Sequence, residues 1–471
     1  MDLLEQKNPK TREKRLDTIS AFLGDVSNLI EDIEKHDVKQ RIRTFSQSYY
    51  DEILTVFQAL SGIKDAVIIV HGPVGCAASG LHYSQIGRNS RFYVTNLKER
   101  DSIMGGDSKL RHAILASYNR YKPSAIFIVS TPVVAINNDE ITAITRELEG
   151  ELNIDIIPIS SDGFKSRTAI NGYDLVFHAI ARYTRNKKVA ASQEKYINLI
   201  SLSENKDDLK ELINLLKSIG LNLNIFPQFS NIDNFSIALK ADFTAAINSN
   251  EGNYFGQLLE ESYNIPFLKT KPPVGFQRTA DWLNIISEAT GTNDEASKVI
   301  SEFKVILKNT FNEKILSDKK VYINLPASVA ISVSTLVEEL GGEVVGITTP
   351  NIDDLGKDDL LYLKNSRNNF KLHVADGQPF EEGNILNRIK PDLYIGNLGK
   401  NIWAARQGIP VVSLNSTGIY GFNGITKFAH VVSKALKNKS LVNHFSENKR
   451  LPYVYTWFNK SPNWYIKQEV K

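Results

Sequence analysis

Ala66-Val67-Ile68-Ile69-Val70-His71-Gly72-Pro73-Val74-Gly75-Cys76 is the stretch that decides the fold. Its first five residues form an unbroken apolar, β-branched run, the pattern of a strand buried on both faces. The next six form a turn. Gly72 and Gly75 allow tight curvature and close approach of a ligand, and Pro73 stiffens the loop. In open parallel sheets ligands bind beyond the carboxyl ends of the strands, so Cys76 stands where an α/β protein presents a ligand or a nucleophile. It is the single cysteine among 471 residues. An isolated thiol is more often a small buried hydrophobe than a functional group, and the thiol alone leaves both readings open.

The same alternation of short β-branched runs and longer amphipathic stretches continues outward from this turn, the signature of βαβ units. A first block has strands over 66–70, 125–129 and 155–159, with helices over 108–121 and 138–148. A second has strands over 196–200, 222–226 and 241–247, a helix over 207–219 and a long helical stretch over 280–309. A third has strands over 320–324, 343–347, 393–395 and 410–413 and a helix over 330–340. Residues 1–45 are charged with helical spacing and read as a helical arm. The division is therefore an arm over 1–45, α/β domains over 46–190, 191–318 and 319–440, and a tail over 441–471. The tail carries Trp457 and Trp464 among Tyr453, Tyr455 and Tyr465, which suits either a subunit contact or packing on its own domain.

Composition removes several function classes. Lys and Arg number 56 against 53 Asp and Glu, a formal charge of +3. Without a long basic stripe there is little to hold a phosphate backbone, so nucleic acid is not an expected partner. No apolar stretch reaches the roughly 20 residues that cross a bilayer, and the first residues lack the apolar core of a signal peptide. A cytoplasmic protein without a membrane partner is expected. One cysteine forms no intrachain disulfide, nor can it alone hold a four-iron cluster, which takes about four protein ligands.

A second phrase narrows the reading: Thr95-Asn96-Leu97-Lys98-Glu99-Arg100-Asp101-Ser102-Ile103-Met104-Gly105-Gly106-Asp107-Ser108-Lys109-Leu110. A glycine pair is followed by an amphipathic helix for which Asp107 or Ser108 is the candidate cap. Together with His71–Cys76, with Tyr121-Lys122-Pro123-Ser124-Ala125-Ile126-Phe127-Ile128-Val129-Ser130-Thr131 and with Asp162-Gly163-Phe164, it resembles the component 1 superfamily of nitrogenase. That superfamily includes the molybdenum-iron protein subunits, their cofactor-assembly scaffolds and the dark-operative protochlorophyllide and chlorophyllide reductases. Later phrases extend the resemblance over most of the chain: Pro391-Asp392-Leu393-Tyr394-Ile395-Gly396-Asn397, Gly408-Ile409-Pro410 and Tyr420-Gly421-Phe422-Asn423-Gly424. Their style is closer to α-type than to β-type subunits.

The resemblance implies an α/β fold of three Rossmann-like domains with parallel sheets around a central cleft. It implies assembly with a second component 1 subunit, or as a homodimer, and an ATP-dependent iron-sulfur reductase as electron donor. It also implies an iron-sulfur cluster at the subunit boundary, with Cys76 as metal ligand and His71, Gly72 and Gly75 as its neighbours. On the same ground Glu99 and Asp101 fix loop geometry or touch the reductase. The departures are equally specific. Where α-type chains carry further cysteines, this chain has Phe45-Ser46-Gln47-Ser48-Tyr49-Tyr50-Asp51 and Ser130-Thr131-Pro132-Val133. Ser46 and Asp51 are left as possible oxygen ligands, against solvated or capping roles. A cluster using Cys76 then takes most of its ligands from a partner chain or is bridged between two copies.

The cysteine and histidine that hold the large cluster of true nitrogenases are also missing, the second position reading Ser416-Thr417-Gly418-Ile419. His373 and His430 show no paired ligand spacing and read as surface or packing histidines. Dinitrogen reduction by this chain alone is not expected. Lys269, Lys271 and Arg278 flank Pro272-Pro273-Val274-Gly275-Phe276 and form a candidate anion site, with solvated charges as the alternative. The readings are an oxidoreductase subunit, a cofactor-assembly scaffold, or a cluster-free structural subunit of the same fold.

Overall fold

The computed structural model describes residues 3–34, 41–43, 52–77, 91–137, 139–185, 196–202, 205–310, 314–366, 371–397, 401–414, 417–447, 455–464 and 466–468. In chain order the strands are β1 (Phe22–Asp25), β2 (Arg41–Arg43), β3 (Ala66–His71), β4 (Arg91–Val94), β5 (Ala125–Ser130), β6 (Asp155–Ile159), β7 (Ile197–Ser201) and β8 (Leu223–Pro227). There follow β9 (Phe243–Ala246), β10 (Phe267–Leu268), β11 (Lys320–Asn324), β12 (Glu343–Thr349), β13 (Lys371–Val374), β14 (Leu393–Gly396), β15 (Val411–Ser413) and β16 (Ile466–Gln468). The chain forms two compact units.

The first unit takes residues 1–12, 50–204 and 222–269 and holds two parallel sheets, β4-β3-β5-β6 and β10-β9-β7-β8. Every residue of β3 and β5 is buried, as their unbroken apolar runs require. Alternate residues serve opposite faces. Ile68, Val70, Phe127 and Val129 join a core with Val56, Phe57, Val176 and Phe177, whereas Val67, Ile69, Ile126 and Ile128 join one with Leu110, Ile114 and Leu148. Each such side chain contributes about 1.5–3 kcal/mol by leaving water. From β3 the chain adds β4 on one side and β5 on the other, so a crevice opens between the carboxyl ends of β3 and β5.

The second unit takes residues 13–49, 205–221 and 270–471. Its sheet, β1-β13-β12-β11-β14-β15, is parallel except for β1, which runs antiparallel to β13. Here the order reverses at β11, and the corresponding crevice lies between β11 and β14. A two-stranded antiparallel pair joins β16 to β2.

Two expectations need correction, and two points that the sequence left open are filled in. The arm is not wholly helical: Phe22–Asp25 is a strand, and Ile19, Phe22, Leu29 and Ile30 pack in the core of the second unit. A short apolar run at the start of a charged segment does not distinguish strand from helix by periodicity. The long helical stretch is two helices, Gly275–Thr290 and Asn293–Thr310, separated by Gly291 at φ 73°, a conformation that favours glycine. Strands β4, β10 and β13 were not marked by the sequence pattern. Of the two alternatives for the aromatic tail, packing on its own domain holds for Trp457, which meets Phe380 edge-on at 4.8 Å, while Asn384 and Arg388 donate to the Lys460 carbonyl at 3.0 and 3.1 Å. Among the described residues no helix is long and apolar enough to cross a membrane.

Candidate functional site

The carboxyl edge of the first sheet gathers the phrases that the sequence singles out. His71 ends β3 and is fully buried, while Val74 to Ala77 begin a helix directly after Pro73. The Cys76 amide donates to the Pro73 carbonyl at 3.1 Å, and Cys76 itself is half-buried. The two turn glycines do different things. A Cβ at Gly72 would overlap the Thr131 side chain, whereas Gly75 has nothing within 4 Å of that position. Gly72 thus permits close packing under the turn. Among the described residues nothing stands where a Gly75 side chain would point.

Thr95, just past β4, ties the turn together. Its hydroxyl accepts from the Gly72 amide at 2.9 Å and lies 3.1 Å from His71 Nδ1. From the other side Thr131 donates to the His71 carbonyl at 3.0 Å. The glycine pair of the second phrase reaches the same place: a Cβ on Gly106 would sit 2.8 Å from His71 Cε1 and 3.0 Å from Asp139 Oδ2. Only glycine fits there. Gly106 is itself the N-cap of the helix Asp107–Tyr121, with no side-chain cap bond, so neither Asp107 nor Ser108 takes the expected capping role.

Asp139, unmarked in the sequence reading, faces the histidine. His71 Nε2 and Asp139 Oδ2 lie 3.3 Å apart, both buried, and neither has an aligned hydrogen-bond partner. Burial pushes the imidazole pKa down to about 4, and burial, then the charge of Asp107, raises the Asp139 carboxyl. Near neutral pH the histidine is an uncharged pin under the turn. The sequence signal for Asp139 was the polar run Asn137-Asn138-Asp139-Glu140 after the Thr131-Pro132 strand end, which is unremarkable until the fold closes it onto His71.

Around this turn the surface is unusually apolar. Val74 is 55 % exposed, Ile103 82 %, Met104 76 %, Ile136 72 % and Phe164 56 %. They follow β3, β4, β5 and β6 respectively, so all crown one sheet edge. No residue of the helix Glu99–Met104 is buried. Asp101 fixes its start by accepting from the Lys98 amide and the Lys109 ammonium, both at 2.6 Å, which hold its carboxyl low, the lysine contributing most. Scattered exposed apolar residues are ordinary, but a cluster at one edge marks an interaction surface.

Other candidates fall elsewhere. Ser46 and Asp51 lie outside the described residues. Lys271 and Arg278 both reach Asp359, at 2.6 and 3.4 Å; the carboxylate offsets the candidate anion site. His373 is buried, not superficial, and pairs with Glu381 at 2.8 Å. His430 is exposed on the helix Gly421–Lys437. Among the described residues no group of three or more His, Cys, Asp or Glu is placed to hold a metal ion. With one thiolate to offer, this chain alone does not fit an iron-sulfur cluster.

Comparison with known proteins gives the family and the fold. The nitrogenase component 1 type oxidoreductase family model matches residues 53–437. The nitrogenase iron-molybdenum cofactor biosynthesis protein NifE of Methanococcus maripaludis is 28 % identical over 395 residues, 80 % of this chain and 81 % of that protein. The nitrogenase molybdenum-iron protein alpha chain of Methanothermobacter marburgensis is 26 % identical over 413 residues, covering 80 % and 84 %. A solved nitrogenase Cp1 chain superposes with a TM-score of 0.73 at 17 % identity, covering 88 % of this chain and 97 % of that one, and so shares the fold. The chain belongs to the nitrogenase component 1 type oxidoreductase family.

Proposed function

We propose that this chain is the α-type half of a component 1 pair, closing the carboxyl edge of its first sheet against a second component 1 chain. In this reading the partner supplies most ligands of an iron-sulfur cluster to which Cys76 adds one thiolate, and the pair receives low-potential electrons from an ATP-dependent iron-sulfur reductase. One coincidence carries the reading: the only thiol of the chain, half-buried after Gly75, stands at the sheet edge whose loops carry exposed Val74, Ile103, Met104, Ile136 and Phe164. Apolar surface of this kind is covered by association, and a shared cluster reconciles one thiolate with the family. His71, Thr95, Gly72 and Gly106 hold the turn; the rest of the donor set is the partner's.

The thinness of that donor set supports a second reading, a cofactor-assembly scaffold. The relative at 28 % identity is named a cofactor biosynthesis protein. A resident catalytic cluster demands a full ligand set, whereas a scaffold holds its cargo transiently. Anaerobic co-expression with a cysteine-rich component 1 chain tests the shared interface. The proposal expects a stable pair that disperses on Ile103→Lys with Met104→Lys. A pair that survives these substitutions, or no pair at all, including with itself, overturns it.

A further inference from the structure

The carboxyl edge of the second unit's sheet carries a different chemistry. Register places His373 beside Thr348, Thr348 beside Asn324, Asn324 beside Gly396 and Gly396 beside Ser413, so one row crosses five strands with a polar side chain on each but β14, where glycine leaves room. The helix Pro379–Ile389 sets Glu381 and Glu382 against it. One half of the row is satisfied. His373 lies 2.8 Å from Glu381 Oε2 and 3.1 Å from Thr348 Oγ1, which also meets the Tyr322 hydroxyl at 2.7 Å.

The other half, at the β11–β14 crevice, is not. The Tyr394 hydroxyl and the Asn324 amide both donate to Glu382 Oε1, each at 2.6 Å. Burial, then the charge of Glu382, raises the Tyr394 phenol, so it stays protonated and acts as donor. Both partners of this buried carboxylate are neutral, and among the described residues it has no ion pair. Fixing the NH2 end of Asn324 on Glu382 also fixes the other end, Oδ1, which is buried without a partner in a side chain only 2 % exposed. Asn401 Oδ1, in a residue 7 % exposed, and Ser413 Oγ are buried and unpartnered as well. Asn401 Oδ1 sits 2.9 Å from where a Gly396 Cβ would stand, with the Asn324 carbonyl 3.3 Å from the same point. Three orphaned oxygens and one carboxylate without an ion pair among the described residues thus line the carboxyl edge around Gly396, where Asn324 and Ser413 flank it in register and Asn401 lies over it.

We propose that this crevice is a binding site for a monovalent cation, with Asn324, Asn401 and Ser413 as neutral oxygen ligands and Glu382 as the compensating charge. Buried oxygens without donors are costly, and a buried carboxylate without a cation more so. One cation relieves both. A single carboxylate among neutral oxygens is too little charge for calcium, which gathers several carboxylates, and magnesium dehydrates reluctantly. Zinc, iron and copper select nitrogen and sulfur, and none is offered here. The site is independent of the cluster chemistry at Cys76.

The test is thermal unfolding of the full chain in potassium or ammonium chloride against choline chloride at equal ionic strength, choline being too bulky to enter. A saturable rise in Tm of about 2–4 °C is expected with the small cations. Asn401→Ala and Ser413→Ala should each weaken the apparent affinity at least tenfold while leaving Tm in choline nearly unchanged. Equal Tm in all three salts, or an undiminished salt response in both variants, overturns the site. Should Asn401→Ala fail to fold, thallium(I) binding to the unaltered protein decides. A bound thallium resonance displaced by potassium supports the site; its absence refutes it.

Discussion

The carboxyl edges of two doubly wound sheets, β4-β3-β5-β6 in the first unit and β1-β13-β12-β11-β14-β15 in the second, share a topology and differ in what covers them. At the first, the ends of the strands carry a glycine turn, a half-buried thiol and a crown of exposed apolar side chains. At the second, the helix Pro379–Ile389 lays two carboxylates over a row of buried polar groups. Topology creates a crevice at both edges. In the readings proposed above, loop chemistry assigns the first crevice to another macromolecule and the second to a small ligand.

Replacing Glu381 by Ala cuts most deeply into this contrast. It leaves the buried His373 Nε2 without its hydrogen-bond acceptor and should remove about 1–3 kcal/mol of stability, read as a lower urea midpoint at unchanged slope. A loss under about 1 kcal/mol would mean that the second edge is as open as the first. At the first edge the comparable strain is titratable. His71 has a folded pKa of about 4 against an unfolded value of 6.5, so below pH 6.5 the unfolded chain binds the extra proton. Stability is lost as pH falls from about 6.5 toward about 4, by up to about 3 kcal/mol. The raised Asp139 carboxyl has the opposite sign and reduces the net slope. The difference in stability between the protein and its His71→Gln variant, followed over pH 7 to 4, isolates the term; a flat difference contradicts it.

Steric effects come next. Gly72→Ala drives a methyl group into Thr131 and should cost about 1–3 kcal/mol. Combining it with Thr131→Ala should restore part of that loss, a coupling that a double-mutant cycle measures; strict additivity would place the strain elsewhere. The smallest effect belongs to the exposed crown. Ile103→Lys with Met104→Lys should leave the stability of the single chain within about 0.5 kcal/mol while abolishing association, as sedimentation with the partner reports.

These two edges also differ in how legible they were. The unbroken runs of β3 and β5 and the turn at Gly72 announce themselves, because every residue of both strands is buried and the runs are short and bounded by turn residues. Thr95 and Gly106 lay in a phrase singled out for its pattern, but their convergence on His71 is a tertiary fact. Asp139 lies 68 residues beyond His71, and the polar run that holds it does not by itself single it out. The polar row of the second unit was harder still: β13 is four residues long and His373 read as packing or surface. Its role depends on the register of strands that sequence periodicity does not supply. Phe22–Asp25 was misread for a related reason, since an edge strand is defined by the neighbour it pairs with, β13, rather than by its own pattern.

The account rests most heavily on Cys76 as a thiolate shared across an interface. Iron and sulfide content, with electron paramagnetic resonance, of the anaerobically isolated pair and of its Cys76→Ala counterpart test this directly. The account predicts a cluster signal in the pair that is lost or altered in Cys76→Ala, with both chains still folded and associated. A pair devoid of iron, or a spectrum indifferent to the substitution, would contradict it.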